Sequence, residues 1–129
     1  MPAKKRMGKK VLIVDDSATI RLQVREALGG NDFEIIEACD GVEGADTIQR
    51  ITDLAAVICD VNMPRMTGLE MLETIKKDNG HANLPVVMLT TEGHHELIQR
   101  AKAAGAKGWL VKPFKPELLL AAIRKLTSA

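Results

Sequence analysis

Four apolar runs in this sequence end in side chains that could act together. Asp15-Asp16 closes Val11-Leu12-Ile13-Val14, Asp60 closes the run that begins at Leu54, Thr90 follows Leu84 to Leu89, and Lys112 follows Lys107 to Val111. Carboxylates gathered at one place repel one another and take up protons unless a cation neutralises them. A few hard oxygen donors, with room for water and a phosphate, suit Mg²⁺ better than zinc or calcium. A hydroxyl and a fixed ammonium beside them could hold the oxygens of a phosphoryl group over Asp60. That is the chemistry of a carboxylate that accepts a phosphoryl group.

Taken singly, none of these residues is specific. Asp15-Asp16 with Ser17 equally suits the start of a helix, where acids favour the dipole. A threonine at a strand end and a lysine before proline are ordinary. The argument rests on convergence, because each group ends a different strand. In open parallel sheets that edge is where ligands bind.

The elements that must position these groups alternate along the chain. Val11 to Val14 reads as a strand covered on both faces. Ser17 is a natural N-cap for a helix striped by Ile20, Val24, Ala27 and Leu28, and Gly29-Gly30-Asn31 ends it. Phe33 to Ala38 reads as a second strand, and Gly41 opens a helix with Val42, Ala45, Ile48 and Ile51 expected inward. The strand ending at Asp60 comes third, with Met63-Pro64 stopping its continuation. Leu69, Met71, Leu72 and Ile75 mark a third helix. Leu84 to Leu89 and Lys107 to Val111 are further strands, each followed by a helix: Leu97, Ile98, Ala101 and Ala104 line the first, Leu119, Ala122, Ile123 and Leu126 the last. Five strand–helix alternations with short connections call for a parallel sheet with helices on both faces, joined by right-handed crossovers.

At 129 residues, with 46% hydrophobic content, the chain fits one domain whose core is aliphatic, since Phe33, Phe114 and Trp109 are its only aromatics. The net charge of +1 hides an asymmetry. Five of the 18 basic residues lie in the first ten positions, and the other 13 face 17 acids. The stretch 1–9 reads as a basic arm, expected to be disordered and solubilising, ahead of a domain over 10–129. Without a basic helix or stacking aromatics, a nucleic-acid partner is not expected. No apolar run reaches membrane-span or signal-sequence length, and Cys39 and Cys59 lack metal spacing, so reduced thiols in a cytoplasm are expected. Cys59 should point away from the Asp60 side chain and serve as packing. His94-His95 reads as a solvated helix entry, and Met63, Met66, Met71 and Met88 as turn and core residues.

Asp15-Asp16, Asp60-Val61-Asn62-Met63-Pro64 with Gly68-Leu69-Glu70, Thr90 and Lys112-Pro113-Phe114 together resemble the signature of the receiver domains of bacterial response regulators. The resemblance runs from about Lys10 to the C-terminus. Leu84-Pro85-Val86, Glu92 and Gly105-Ala106 point to the stand-alone CheY-like type. It implies a flavodoxin-like, doubly wound five-stranded parallel sheet with strand order 2-1-3-4-5. It also implies that Asp60 takes a phosphoryl group from a phosphohistidine on a sensor histidine kinase of the CheA-like kind. Asp16 and Asp60 would bind Mg²⁺ through their side chains, Asn62 through its backbone carbonyl and Asp15 largely through water. Lys112 would contact the phosphoryl group and Thr90 would move towards it. Trp109 stands at the aromatic switch position, where Tyr is common, and its swing would remodel the surface around the fourth helix and fifth strand. Thr91 stands where smaller residues are usual. Its bulk narrows access for an attacking water, so the phosphorylated protein is expected to outlive that of Thr91→Ala. Glu92 is a second candidate modulator of that water.

The function expected from these residues is a monomeric signalling module switched by phosphorylation, which catalyses only its own phosphorylation and dephosphorylation. Its target would be a flagellar-motor switch component in chemotaxis, or a phosphotransfer protein in a relay. A receiver-like module that binds without phosphorylation is the remaining alternative. A haloacid-dehalogenase-type phosphatase would need a general acid two residues after Asp60, and Asn62 stands there. Neither GxxxxGK[ST] nor GxGxxG follows the first strand, which removes the common nucleotide-binding readings.

Overall fold

The computed structural model describes residues 8–30, 33–61, 67–77, 81, 83–91 and 95–127. Ten elements alternate along them: β1 (Lys9–Val14), α1 (Ala18–Leu28), β2 (Phe33–Ala38), α2 (Gly41–Arg50), β3 (Leu54–Asp60), α3 (Gly68–Lys76), β4 (Val86–Thr90), α4 (His95–Ala103), β5 (Gly108–Val111) and α5 (Pro116–Thr127). The strands form one parallel sheet in the order β2-β1-β3-β4-β5. That is the order the resemblance implied.

Period-two alternation divides the core into two layers. Leu12, Val14, Val57, Cys59, Val86 and Met88 point to one face and pack with Ile48, Leu69, Met71, Leu72, Ile75 and Ala101 from α2, α3 and α4. Val11, Ile13, Ile58, Val87 and Leu89 point to the other, against Val24 and Leu28 of α1 and Leu119 and Ile123 of α5. Both layers are aliphatic, as the scarcity of aromatics requires. Cys59 packs as expected in the first layer, where burial above all, with the nearby Asp60 and Asp15 carboxylates adding, pushes its thiol well above the ordinary range.

Helix starts are set by side-chain caps. Ser17 accepts a hydrogen bond from the Ile20 amide at 3.2 Å, and Asp40 accepts one from the Glu43 amide at 2.8 Å. Thr67 and Glu70 form a reciprocal capping box at α3. Each such cap contributes about 1 kcal/mol.

Four local expectations are corrected. Val42 does not face inward but is 40% exposed; Gly41, Gly44, Thr47 and Ile48 form the buried face of α2 instead. A Cβ on Gly44 would sit 2.9 Å from both the Met71 sulfur and the Val14 methyls, so α2 lies too close to the sheet for a side chain there. β4 begins at Val86, although the Pro85 carbonyl already accepts the Val57 amide, and β5 begins at Gly108. β1 begins at Lys9, ahead of the apolar run. The Lys9 ammonium donates to the Thr127 carbonyl, and Lys10 pairs with Asp53 at 3.0 Å. Residues 1–7 of the basic arm lie outside the described residues.

Candidate functional site

Strand register sets the site. Val14 pairs with Cys59, so Asp15, the next residue, emerges level with Asp60. Asp60 pairs with Leu89, and Thr90 with Val111, which brings Thr90 and Lys112 to the same edge. Backbone bonds carry the ladder past the strand ends: the Asp15 amide donates to the Ala38 carbonyl at 3.1 Å and the Lys112 amide to the Thr90 carbonyl at 2.7 Å. The Lys112-Pro113 peptide bond is cis.

Five sequence-selected residues therefore converge. One carboxylate oxygen from each of Asp15, Asp16 and Asp60 lies within 4.8 Å of the others. The Lys112 ammonium sits 2.9 Å from Asp15 Oδ2 and 3.2 Å from Asp60 Oδ1. Asp15, Asp60 and Thr90 are 0%, 6% and 3% exposed, whereas Asp16 is open to solvent. Burial by itself would lower the Lys112 pKa, but the Asp15 and Asp60 carboxylates outweigh it and the net shift is upward. The ammonium is thus held charged. Three carboxylates against one ammonium give the cluster a formal excess of two negative charges, with the Asp16 oxygens open to solvent. Such a set fits a hard divalent cation that keeps part of its water shell, and Mg²⁺ is the first of that kind.

This arrangement of strand-end acids, threonine and lysine on a 2-1-3-4-5 sheet can be set beside known proteins. Residues 11–124 match the response regulator receiver domain. The chain belongs to that family. Its relatives include the chemotaxis protein CheY1 of Helicobacter pylori strain J99, 37% identical over 111 residues that span 85% of this chain and 90% of that protein. The chemotaxis protein CheY homolog of Campylobacter jejuni strain 81-176 is 38% identical over 112 residues, 85% of either chain. Among solved structures, the chemotaxis response regulator CheY4 of Vibrio cholerae superposes with a TM-score of 0.86 at 42% identity, covering 93% of this chain and 99% of that one.

The remaining candidates of this receiver domain are placed unevenly. Thr91 is exposed beside buried Thr90. Trp109 is half-buried on β5 against the α3-side layer, with the Lys102 ammonium of α4 over its ring, 4.8 Å from the centroid. Asn62, Met63, Pro64, Met66, Glu92 and His94 lie outside the described residues. α4 begins at His95.

One contributor escaped the sequence reading. Arg21, on α1, donates from Nη1 to the Asp15 backbone carbonyl at 2.6 Å and from Nε to Glu37 at 2.9 Å. Glu37 is also held by Arg25 at 2.6 Å. The only trace of this in the sequence is the pair of arginines four residues apart on α1, and no local pattern ties them to β2 or to Asp15.

Proposed function

We propose that this receiver domain is a phosphorylation-switched signalling module in which Asp60 is the phosphoacceptor. The observation that carries the reading is the Lys112 ammonium bridging Asp15 and Asp60 at 2.9 and 3.2 Å, inside a cluster of three carboxylates at the sheet's C-terminal edge. An Asp60 carboxylate oxygen attacks the phosphorus of a phosphohistidine on a sensor histidine kinase. The new O–P bond forms as the P–N bond breaks, and the histidine leaves. Asp16 and Asp60 would hold Mg²⁺ through their side chains and Asp15 largely through water, with the carbonyl of Asn62, which lies outside the described residues, as the further ligand the resemblance implies; the ion would neutralise charge on the phosphoryl oxygens. Lys112, already charged, turns from Asp60 to the incoming phosphoryl oxygens, and Thr90 offers its hydroxyl to another.

The switch then passes from Thr90 along β4 and β5 to Trp109 and the face formed by α4, β5 and α5, which binds a downstream protein. By likeness to relatives named as chemotaxis proteins, that pathway is chemotaxis and the upstream kinase CheA-like. The module works as a monomer in the cytoplasm. Among the described residues, no helix is long and apolar enough to cross a membrane.

The test is the intact mass after incubation with acetyl phosphate, in Mg²⁺ and in EDTA, with Asp60→Asn alongside. A Mg²⁺-dependent gain of one phosphoryl group, absent from Asp60→Asn, is expected. No gain, or an equal gain in the variant, would overturn the assignment and favour binding without phosphorylation.

A further inference from the structure

Asp15 is held by three hydrogen bonds and one ion pair, the ion pair being the sole contact of its buried Oδ2. Its amide donates to the Ala38 carbonyl, Oδ1 accepts the Ser17 amide at 2.9 Å, Oδ2 meets Lys112, and its carbonyl oxygen accepts from Arg21. Asp16 is different. Its carboxylate is exposed and, among the described residues, makes no hydrogen bond or ion pair, yet it supplies one of the three clustered oxygens. Its placement must come from its backbone.

The Asp15 carbonyl and the Asp16 amide belong to one planar peptide unit, which also contains the Asp16 Cα. A hydrogen bond that orients the carbonyl therefore orients the start of Asp16, while the bond from the Ser17 amide to Asp15 Oδ1 holds the residue that follows. We propose that Arg21 is a positioning residue for the metal-binding carboxylates, aiming Asp16 through the Asp15–Asp16 peptide; this rests on the reading of the cluster as a Mg²⁺ site.

The geometry of the guanidinium supports this role over that of a simple helix-to-strand staple. Arg25 alone already pairs Glu37 through two donors, at 2.6 and 3.0 Å. Arg21 adds a bond that Arg25 does not make, to the Asp15 carbonyl. Its planar fork reaches two acceptors at once, Glu37 from Nε and the carbonyl from Nη1, which a lysine's single ammonium does less well. The Arg21 side chain is 19% exposed, so water is a poor substitute for it at that carbonyl. Glu37, shared with Arg25, keeps the guanidinium from swinging out to solvent.

The experiment is calorimetric titration of Mg²⁺ into the full chain, with circular dichroism checking that each variant is folded. Arg21→Ala is expected to weaken Mg²⁺ binding about tenfold, the usual cost of removing a group that orients a ligand. Arg25→Ala, which also loosens Glu37 but does not touch Asp15, is expected to stay within about twofold of wild type. Adding Arg21→Ala to Asp16→Ala should weaken binding no further, because the route runs through Asp16. Should Arg21→Ala fail to fold, Arg21→Lys keeps the charge without the fork and is expected to bind about threefold more weakly. Wild-type affinity in the folded Arg21 variants, or an equal loss in Arg25→Ala, would overturn the positioning role alone. If the wild-type chain binds no Mg²⁺, the metal site itself falls, and Arg21's role with it.

Discussion

A Cβ atom on Gly68 would lie 1.9 Å from the carbonyl oxygen of Asp60 and 2.9 Å from the Cys59 sulfur. The first turn of α3 is thus pressed against the backbone of Asp60, the proposed phosphoacceptor, and the Gly68 amide closes the contact by donating to the Val61 carbonyl at 2.8 Å. No rotamer change relieves a clash with a backbone oxygen, so α3 must withdraw if any side chain is added. Gly68→Ala is expected to lose about 2–3 kcal/mol of stability, at the upper end for overpacking. It should also slow labelling of Asp60 by acetyl phosphate. Urea midpoints and the mass assay measure the two effects. A wild-type midpoint would mean that the helix moves away freely.

Lys112 has two opposed effects on the site. Its ammonium neutralises part of the buried charge on Asp15 and Asp60, yet it adds positive charge where a cation would bind. In Lys112→Met the two carboxylates lose their buried partner, and the metal-free protein is expected to be about 3 kcal/mol less stable. Mg²⁺ binding should be at least as tight as in wild type, because the site is one charge more negative. The rise in melting temperature on adding Mg²⁺ should therefore be larger in the variant than in wild type, while phosphoryl transfer to Asp60 slows. An equal or smaller rise would count against Lys112 and the metal sharing these carboxylates.

The sheet and most of the site were legible because both depend on local signals. Short apolar runs, each punctuated by a polar residue and followed by helical spacing, identify strands and their C-terminal ends, and the parallel architecture puts those ends at one edge. What could not be read was proximity. The stripe Val42, Ala45, Ile48 and Ile51 is a fair guide to an amphipathic helix, but α2 packs so closely that Gly44, not Val42, faces the sheet. An apolar count cannot register a residue chosen for the absence of a side chain. Arg21 was invisible for another reason: one partner is a backbone carbonyl, and the other is Glu37, sixteen residues away on β2.

Glu37 gives the acid limb of the stability curve a specific contributor. The hydrogen bond from Arg25, aided by Arg21 and opposed by burial, holds its carboxyl below the 4.5 of a free glutamate. A carboxyl lowered on folding contributes stability above its unfolded pKa and loses it as pH falls through the folded value. Glu37→Gln should thus be less stable than wild type at pH 7, by no more than about 1 kcal/mol because the pair is partly solvated. The two curves should converge once the pH is well below 4.5. Urea midpoints across that range check this, and a constant offset would assign the effect to something other than the charge.

The Lys102 ammonium lies over Trp109, the only tryptophan in the chain, so the fluorescence of one residue reports on the position proposed as the switch. Lys102 is exposed, and its ammonium attracts the ring of a half-buried residue that also packs against the α3-side layer. At an exposed site that attraction is worth about 0.5–1 kcal/mol. Lys102→Met keeps an apolar stem and removes the charge, which should move the balance toward a more buried ring by about two- to fivefold. The expected result is a blue-shifted emission and weaker quenching by acrylamide, in the unphosphorylated protein. Unchanged emission and quenching would mean that packing alone holds Trp109 where it lies, with Lys102 a bystander. A red shift would mean that the ammonium was holding the ring in place against the layer beneath it.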